Sequence, residues 1–483
     1  MSNKVVIFVF DGLRPDMVDP TTMPNLHRFG QAGTRFTGSR VAFPSETRVN
    51  QATLVTGCWP AKHGIVGNRF MDQAAYGGNL INSGDEDALR TASDALAGKL
   101  LDVDSLGELL AARGMSLAVT GSGTAGGTRI LNHRAEELGQ FRLSLYRPDA
   151  STPSEDVAAL TERLGPIPEA VVPANERTTY LVDAFLNYVM PELAPDVSIV
   201  WSFEPDISYH YSGLGTPDNR SALQCADAEF ARVLAWRDAL PSADRPTIIT
   251  LSDHGHLSIE GQALDVMGKM RSAGFDVAKS LDDGADAAVF CQRAGGIYVR
   301  DSAPALVASM TAWLVEQPWC ELVFTKDQPQ TLTLAEAGIE HRRAPDIAFV
   351  TSSHDGLSEF GLPGRCAHDA PDLAPEGGLH GGMHPVELGN WFAVQGPAFA
   401  TYREIDTPCG IVDVLPTVLH VLGLTPPPGI DGRVLAEALG EEVLEEESVQ
   451  RLTSSAGSMT LERSQFRNKT YLERGGRLRG QAS

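Results

Sequence analysis

Three apolar segments, far apart in the chain, are each followed directly by side chains that bind metals. Each run is five or six residues long, as is typical of a strand buried on both faces in a parallel sheet. Side chains beyond the carboxyl ends of such strands gather at one edge of the sheet. The segments and the residues after them are Val5–Phe10 with Asp11, Ser198–Phe203 with Asp206 and His210, and Thr247–Leu251 with Asp253 and His254.

Segments with helical spacing alternate with these strands. This alternation predicts an α/β fold with a doubly wound, mainly parallel central sheet that is covered by helices on both faces. The predicted helices are Asp104–Gly114, Tyr180–Leu193, Ser221–Leu240 and Val412–Leu422, and the further predicted strands are Ser116–Gly121 and Trp391–Gly396.

The length of 483 residues, with 42% hydrophobic residues, suits one large domain with an embedded subdomain. We expect residues 1–256 and 377–439 to form a catalytic core. The less regular residues 257–376 are expected to form an inserted α+β cap subdomain that overhangs the site. Residues 440–483 are expected to be a solvated or partly ordered tail, with packing against a partner subunit as the alternative.

Composition narrows the range of partners and the location. The formal net charge of -23 argues against binding to a nucleic-acid polymer or to an anionic membrane surface. No apolar stretch approaches the length of a membrane span, and the first residues leave no room for a cleavable signal. The six cysteines are scattered without a C-x-x-C pair, which predicts reduced thiols and a cytoplasmic location. Homo-oligomer formation stays open.

The ligand residues predict a centre with two divalent ions. Three carboxylates and three imidazoles, the third being His380, form the mixed set that zinc prefers, and less often manganese or iron. His210 follows Asp206 by four residues, so one helical turn places both side chains on one ion. The ligands expected for the second ion are Asp11, Thr47, Asp253 and His254.

Further motifs lie between the first two strands and near the end of the chain. With them the chain resembles the alkaline phosphatase superfamily, most closely its nucleotide pyrophosphatase/phosphodiesterase branch. The resemblance runs from Val5 to about Leu435. Its motifs are a strand ending in Asp11-Gly12, Pro44-Ser45-Glu46-Thr47, Thr56-Gly57 with Pro60, His63-Gly64 and Asn68, Glu204-Pro205-Asp206 with His210, Ser252-Asp253-His254-Gly255, and His380-Gly381.

The resemblance implies roles for individual residues. Thr47 would be the nucleophile, and His380 would complete the ion site of Asp206 and His210. Asn68 would donate its side-chain amide to a phosphoryl oxygen as charge builds in the transition state.

A threonine hydroxyl is a poor nucleophile at neutral pH unless a neighbouring dication favours its alkoxide. Thr47 also follows Pro44 and is predicted to open a helix that runs to Thr56, which adds the positive field of a helix N-terminus. Ser45 is close and also carries a hydroxyl, so the choice of Thr47 depends on the motif register with Asn68.

The chain departs from its nucleotide-cleaving relatives directly after the nucleophile, where Arg48 replaces the aromatic residue that stacks a base. Trp201 is predicted to supply one aromatic wall. A guanidinium beside the nucleophile suits a second anionic group on the substrate, through a bidentate contact. The alternative is a surface arginine paired with Glu46 or with another nearby carboxylate.

We therefore predict a metal-dependent hydrolase that cleaves small-molecule phosphodiester or pyrophosphate bonds through a threonine nucleophile. The alternatives are a phosphomonoesterase and a phosphonate hydrolase of the phosphonoacetate type, which use the same site. A metal-binding scaffold is disfavoured because every ligand and the nucleophile are present. Among the other histidines, His63 and His384 fit structural roles better than direct ones, and His256 is open between a structural role and support of a ligand.

Overall fold

The computed structural model describes residues 4–374, 376–439 and 448–478. Its centre is an eight-stranded sheet that is mainly parallel. In spatial order the strands are Arg403–Ile405, Thr34–Phe36, Phe392–Gln395, Thr247–Leu251, Val5–Phe10, Val197–Ser202, Leu117–Gly121 and Phe141–Ser144.

The strand Val5–Phe10 lies in the middle of this sheet and pairs in parallel with both neighbours, so that Val9 is opposite Trp201 on one side and Leu251 on the other. Its alternate residues enter different cores. Val5, Ile7 and Val9 pack in one hydrophobic cluster, and Val6, Phe8 and Phe10 pack in a second. Both faces of the sheet are therefore covered, and the predicted doubly wound α/β fold is confirmed.

Helices pack on both sides of the sheet. Several begin at recognisable caps: Ser105 and Glu108 form a capping box, and Thr216 accepts a hydrogen bond from the Asn219 N–H. The longer helices are Pro24–Ala32, Thr47–Thr56, Glu86–Ala95, Leu106–Ala111, Ala125–Leu131, Ser154–Leu164, Asn175–Ala184, Asp206–Ser212, Pro217–Ala239, Val266–Ser272, Pro304–Val315 and Val414–Val421. The short ones are Pro60–His63, Gln73–Tyr76 and Pro385–Leu388.

The four predicted helices are present, but their bounds differ from the predicted ones. Ser221–Leu240 corresponds to the helix Pro217–Ala239, and Val412–Leu422 corresponds to Val414–Val421. The predicted helix Tyr180–Leu193 begins inside the α-helix Asn175–Ala184 and includes the π-helix Phe185–Leu193 that follows it. Pro191 lies inside the π-helix, and it has no N–H to donate to a regular helical hydrogen bond. The helix predicted over 104–114 is shorter, Leu106–Ala111.

Two smaller sheets are formed by the part of the chain between the predicted ligands His254 and His380. One has six strands, in the spatial order Val277–Ala278, Ala287–Cys291, Ala294–Val299, Ile347–Thr351, Cys320–Thr325 and Leu332–Thr333. The other has the order Ser353–Leu357, Pro363–Cys366, Leu257–Ile259 and Gly378–Leu379. Two-stranded pairs join Arg69–Met71 with Leu80–Asn82 and Ser39–Arg40 with Cys409–Gly410. The bounds of a core and a cap domain stay predictions.

The expectation of a solvated C-terminal tail is wrong for the residues that the structure describes there. Strands Gln450–Ala456, Met459–Phe466 and Lys469–Arg477 form an antiparallel sheet. Met459, Leu461 and Tyr471 are buried, and Gly475 N donates to Met383 O at 2.9 Å. Apolar residues on one face of these strands bury that face against the rest of the chain. Residues 440–447 and 479–483 of the predicted tail lie outside the described residues.

Among the helices in the described ranges, none combines the length and apolarity needed to cross a bilayer.

Candidate active site

Three buried aspartates meet at the carboxyl ends of three adjacent strands of the central sheet. Asp11, Asp206 and Asp253 are each 3% exposed or less. The loops that carry them are joined to one another: Asp206 N donates to Asp11 O at 3.0 Å, and Gly12 N donates to Asp253 Oδ1 at 2.9 Å. The register of the parallel strands therefore brings together carboxylates that are far apart in the chain.

One group of ligand side chains surrounds the hydroxyl of Thr47. His254 Nε2 lies 3.3 Å from Asp253 Oδ2 and 3.5 Å from Asp11 Oδ1. The Thr47 hydroxyl lies 3.1 Å from the same His254 nitrogen and 3.5 Å from Asp11 Oδ1. The structure thus brings together all four residues that the sequence assigns to one ion.

The second group is centred on Asp206 Oδ1. His210 Nε2 lies 3.3 Å and His380 Nε2 lies 3.6 Å from this oxygen. His256 Nε2 is closer still, at 2.8 Å. Asp206, His254, His256 and His380 form one buried group whose ligand atoms could hold an ion. His256 is thus part of the cluster, although the sequence left its role open.

The electrostatics of this cluster suit divalent cations. Burial, followed by the neighbouring Asp253 and Asp206 carboxylates, raises the pKa of Asp11 well above its usual range, and burial raises the pKa of Asp253 to about 7. Asp253 Oδ2 is buried without a hydrogen-bond partner in the described structure. Burial also lowers the pKa of His254 and of His380 well below the usual value, which keeps both imidazoles in the neutral form that coordinates metals. A cation would offset the charge repulsion among the carboxylates.

The pKa of Asp206 is shifted in the opposite direction from those of Asp11 and Asp253. Burial alone would raise the pKa of Asp206, but the charge and hydrogen bond of His210, with the hydrogen bond of His256, outweigh burial and hold it well below its usual range. This carboxylate is therefore ionised and available as an oxygen ligand. The mixed donor set of carboxylate oxygens and imidazole nitrogens fits divalent metal binding.

Thr47 is the first residue of the helix Thr47–Thr56, as the sequence predicts. Asn50 N donates to Glu46 O, which closes the first turn. The Thr47 side chain is 4% exposed and lines a cavity of about 850 Å³. This position places its hydroxyl between the metal-ligand group and the cavity.

Asn68 lies next to the nucleophile candidate on the cavity wall. Its backbone N–H donates to Glu46 Oε2, and its Oδ1 accepts from Arg48 N at 3.3 Å. Burial raises the pKa of Glu46 to about 6. With Oδ1 occupied by a backbone donor, the Nδ2 amide is the part of Asn68 left to donate to a ligand in the cavity.

Arg48 also lines this cavity. Burial lowers the pKa of Arg48, and the carboxylates of Glu46, Asp11, Asp206 and Asp253 oppose that effect. Its buried Nε has no hydrogen-bond partner in the described part of the chain. Arg48 is half-buried rather than a surface residue, and the Glu46 carboxylate that attracts its charge also accepts from the Asn68 backbone.

The prediction of an aromatic wall formed by Trp201 is wrong. Trp201 is 1% exposed, belongs to the hydrophobic core, and donates its Nε1–H to Asp11 Oδ2 at 2.8 Å. Its strand neighbour across the sheet is Val9, which faces the same core. The aromatic side chains on the cavity wall are Phe203, Tyr211 and Phe290. Phe203 ends the strand predicted over Ser198–Phe203, and Tyr211 directly follows the predicted ligand His210.

His63 and His384 have structural surroundings, as the sequence favours. His63 Nδ1 accepts from Ile65 N at 3.1 Å, and its Nε2 lies 3.1 Å from Thr53 Oγ1. His384 caps the short helix Pro385–Leu388 and contacts Asp355. Neither lines the cavity.

Comparison with known proteins gives one family. The family model of type I phosphodiesterase/nucleotide pyrophosphatase matches residues 5–317. A venom phosphodiesterase of Macrovipera lebetinus is 34% identical over 72 residues, which are 14% of this chain and 8% of that protein. The bis(5'-adenosyl)-triphosphatase enpp4 of Xenopus laevis is 38% identical over 69 residues, 14% of this chain and 15% of that protein.

Ectonucleotide pyrophosphatase/phosphodiesterase family member 3 of Bos taurus is 34% identical over 70 residues, again 14% of this chain and 8% of that protein. The chain thus spans only 8% to 15% of the length of these curated relatives. The family match, in contrast, covers more than half of the chain and contains every predicted metal ligand except His380. The chain therefore belongs to the type I phosphodiesterase/nucleotide pyrophosphatase family, within the alkaline phosphatase superfamily.

Proposed function

We propose that this protein is a phosphoric ester hydrolase that cleaves phosphodiester or pyrophosphate bonds of small molecules through Thr47. The observation that carries the proposal is the position of the Thr47 hydroxyl. It lies 3.1 Å from His254 Nε2 and 3.5 Å from Asp11 Oδ1, and it lines a cavity that also contains Asn68. A hydroxyl beside a metal-ligand cluster, at a helix N-terminus and open to a cavity, is placed to attack phosphorus.

Two divalent ions, with zinc as the proposed metal, would be held by the two groups of side chains described above. The ligands for one are Asp11, Thr47, Asp253 and His254, and those for the other are Asp206, His210 and His380. When bound, such ions supply Lewis-acid stabilisation of the negative charge on the attacking, leaving and phosphoryl oxygens.

The chain's own residues supply the nucleophile and orient the substrate. Thr47 Oγ1 loses its proton to water in the cavity and forms a bond to phosphorus, while the bond from phosphorus to the leaving oxygen breaks. Water then cleaves the threonine–phosphorus ester and restores the hydroxyl. Asn68 Nδ2 donates to a non-bridging oxygen while the charge on that oxygen increases, which lowers the barrier of both steps.

The first test replaces the nucleophile. Thr47→Ala removes one hydroxyl and leaves six proposed ligands, so turnover should fall close to zero while fold and most metal content remain. Bis-p-nitrophenyl phosphate and p-nitrophenyl phosphate, each with and without chelator, measure diesterase and monoesterase activity side by side. Thr47→Ser is the matched control, since it keeps a hydroxyl at the same position. Retention of more than about a tenth of the wild-type rate by Thr47→Ala, roughly 1.4 kcal/mol of barrier, would contradict the assignment.

A second substrate class is favoured by Arg48. Among the residues that the structure describes, its buried Nε has no hydrogen-bond partner, and guanidinium groups bind carboxylate and phosphate oxygens in pairs. A phosphonate that carries a carboxylate, or a phosphate monoester, would place a second anionic oxygen there. Hydrolysis of phosphonoacetate that exceeds that of the aryl diester would decide for this alternative.

We also propose that the protein works in the cytoplasm. The support is that all six cysteines are free thiols in the structure, as a reducing compartment requires. Cell fractionation with an antibody against the protein tests this proposal, and a secreted or periplasmic pool would overturn it.

A further inference from the structure

Three of the imidazoles at the proposed metal centre are oriented in the same way. In each, Nδ1 lies near a backbone carbonyl: His210 at 2.7 Å from Gly378 O, His254 at 3.3 Å from Gly255 O, and His380 at 2.7 Å from Ser45 O. A neutral imidazole carries one N–H, and a carbonyl can only accept. Each of these three rings therefore carries a proton at Nδ1, and its Nε2 faces the carboxylates of the cluster.

His256 is oriented differently, although it lies in the same cluster. Its Nδ1 is buried without a hydrogen-bond partner among the described residues. Its Nε2 lies 2.8 Å from Asp206 Oδ1, the shortest contact between an imidazole and this carboxylate. Because a carboxylate accepts, the single proton of a neutral His256 ring belongs at Nε2.

Two glycines make room for the His256 ring. A Cβ at Gly12 would lie 2.7 Å from His256 Nε2, and a Cβ at Gly378 would lie 2.8 Å from Nδ1. The ring of Tyr209 packs against His256 with 4.9 Å between the ring centroids. The Nδ1 edge therefore faces backbone and an aromatic ring, and it has no carbonyl that could take a proton there.

We propose that His256 is a positioning residue that donates its Nε2 proton to Asp206 Oδ1 and so fixes the orientation of this metal-binding carboxylate. It is not itself a ligand, because the nitrogen that faces the cluster carries the proton. The inference rests on the proposed metal centre. Partners of this kind fix the geometry of a ligand, and their loss typically lowers metal affinity ten- to a hundredfold.

Metal competition measures the expected effect. Zinc affinity of wild type, His256→Phe and His256→Gln is determined by titration against a chromophoric chelator. His256→Phe fills the same space without a donor, so affinity for one of the two ions should fall about ten- to a hundredfold. His256→Gln keeps an N–H donor and should recover most of the loss. Two ions should still bind to every variant at saturating zinc.

The position of the His256 proton is a second measurement, and it is made on the wild-type protein. In zinc-loaded wild type with ¹⁵N-labelled histidine, long-range ¹H–¹⁵N correlations distinguish the two neutral tautomers. His256, assigned from the resonance that is missing in His256→Gln, should show the Nε2–H form. A His256 ring with the proton at Nδ1, or a stoichiometry that falls to one ion in His256→Phe, would make His256 a ligand and overturn the proposal. Unchanged zinc affinity in His256→Phe would overturn it as well.

Tyr209→Phe is the matched control for packing. It keeps the ring that contacts His256 and removes only a hydroxyl that donates to Met17 Sδ, so zinc affinity should stay within about twofold. Absence of zinc binding by the wild type would instead remove the metal centre from the proposed function. That outcome would contradict the proposed function, whereas differences in zinc affinity among the His256 variants test only the role of His256.

Discussion

Ser45 and Thr47 each carry a buried hydroxyl, and their hydrogen bonds separate the roles that the sequence left open between them. Ser45 Oγ donates to Gly382 O at 2.9 Å and accepts from Gly381 N at 3.1 Å. Its backbone carbonyl lies 2.7 Å from His380 Nδ1. Ser45 thus holds the loop of His380, whereas Thr47 faces the ligand cluster and the cavity. The sequence places both residues within one motif but contains no signal for this distant loop contact.

Ser45→Ala should loosen the His380 loop without removing the nucleophile. The loss leaves Gly381 N and Gly382 O unpaired in a buried place, which costs about 1–3 kcal/mol of unfolding free energy. Urea denaturation measures this loss, and turnover at saturating zinc should stay within about tenfold of wild type. A loss of turnover as complete as in Thr47→Ala would transfer the nucleophile role to Ser45.

A second single residue, Arg48, is proposed to determine which class of substrate is preferred. If its guanidinium grips a second anionic group, Arg48→Ala should reduce turnover of substrates that carry the group about ten- to a hundredfold more than turnover of aryl diesters. This corresponds to a charge-assisted contact of roughly 1.5–3 kcal/mol. Arg69→Ala is the control, since Arg69 is an exposed arginine on the wall of the same cavity. Equal losses for all substrates would show that Arg48 only supports the loop.

At the scale of elements, the strands of the core were predictable and the C-terminal strands were not. Val5–Phe10 and Thr247–Leu251 have the predicted bounds because both of their faces are buried, so every residue is apolar or small. The strand Gln450–Ala456 alternates exposed and partly exposed polar residues, which resembles a solvated segment. Trp201 was misassigned for a related reason. Its side chain lies on the same face of the sheet as that of Val9, its partner on the neighbouring strand, and this face is buried in the core. The sequence alone does not show which side chains of a strand line a cavity.

One buried ion pair joins the six-stranded sheet to the loop that follows His380. Arg293, fully buried, donates to both carboxylate oxygens of Glu387 at 3.1 and 3.0 Å. Arg293→Met would leave the Glu387 charge buried without its partner, which should cost about 3–5 kcal/mol of unfolding free energy. Arg90→Met, which removes an exposed pair with Asp87, should cost roughly 1 kcal/mol or less. Equal losses by urea denaturation would mean that the Arg293 pair contributes no more than a surface pair.

At the scale of the whole molecule, the net charge of -23 and the three buried aspartates of the proposed centre should make the fold depend on cations. The sequence predicted most ligands because they follow strand ends, and the family resemblance added Thr47 and the role of His380. It left open His256, whose place depends on how two loops pack. Both groups of ligands connect segments that are distant in the chain. Ions that bind only the folded state therefore stabilise the whole chain.

Removal of metal should lower both activity and stability. With zinc at about 100 times its dissociation constant, each site would contribute roughly 2.7 kcal/mol of unfolding free energy. Chelator-treated protein should therefore melt at a lower temperature, and zinc should restore melting temperature and turnover together. Metal analysis of active protein should find two ions per chain. Fewer than one ion per chain would contradict the centre.

The C-terminal sheet also affects when a newly synthesised chain can become active. Gly475 N donates to Met383 O, three residues after His380, and the strand that carries Gly475 contacts the strand Cys320–Thr325. During synthesis the strand with Asp11 emerges first, and the strand Lys469–Arg477 emerges after every proposed metal ligand. While Lys469–Arg477 is still inside the exit tunnel, all the ligands are outside, but the segment after His380 lacks its hydrogen bond from Gly475. Activity should therefore begin only after Lys469–Arg477 has left the tunnel.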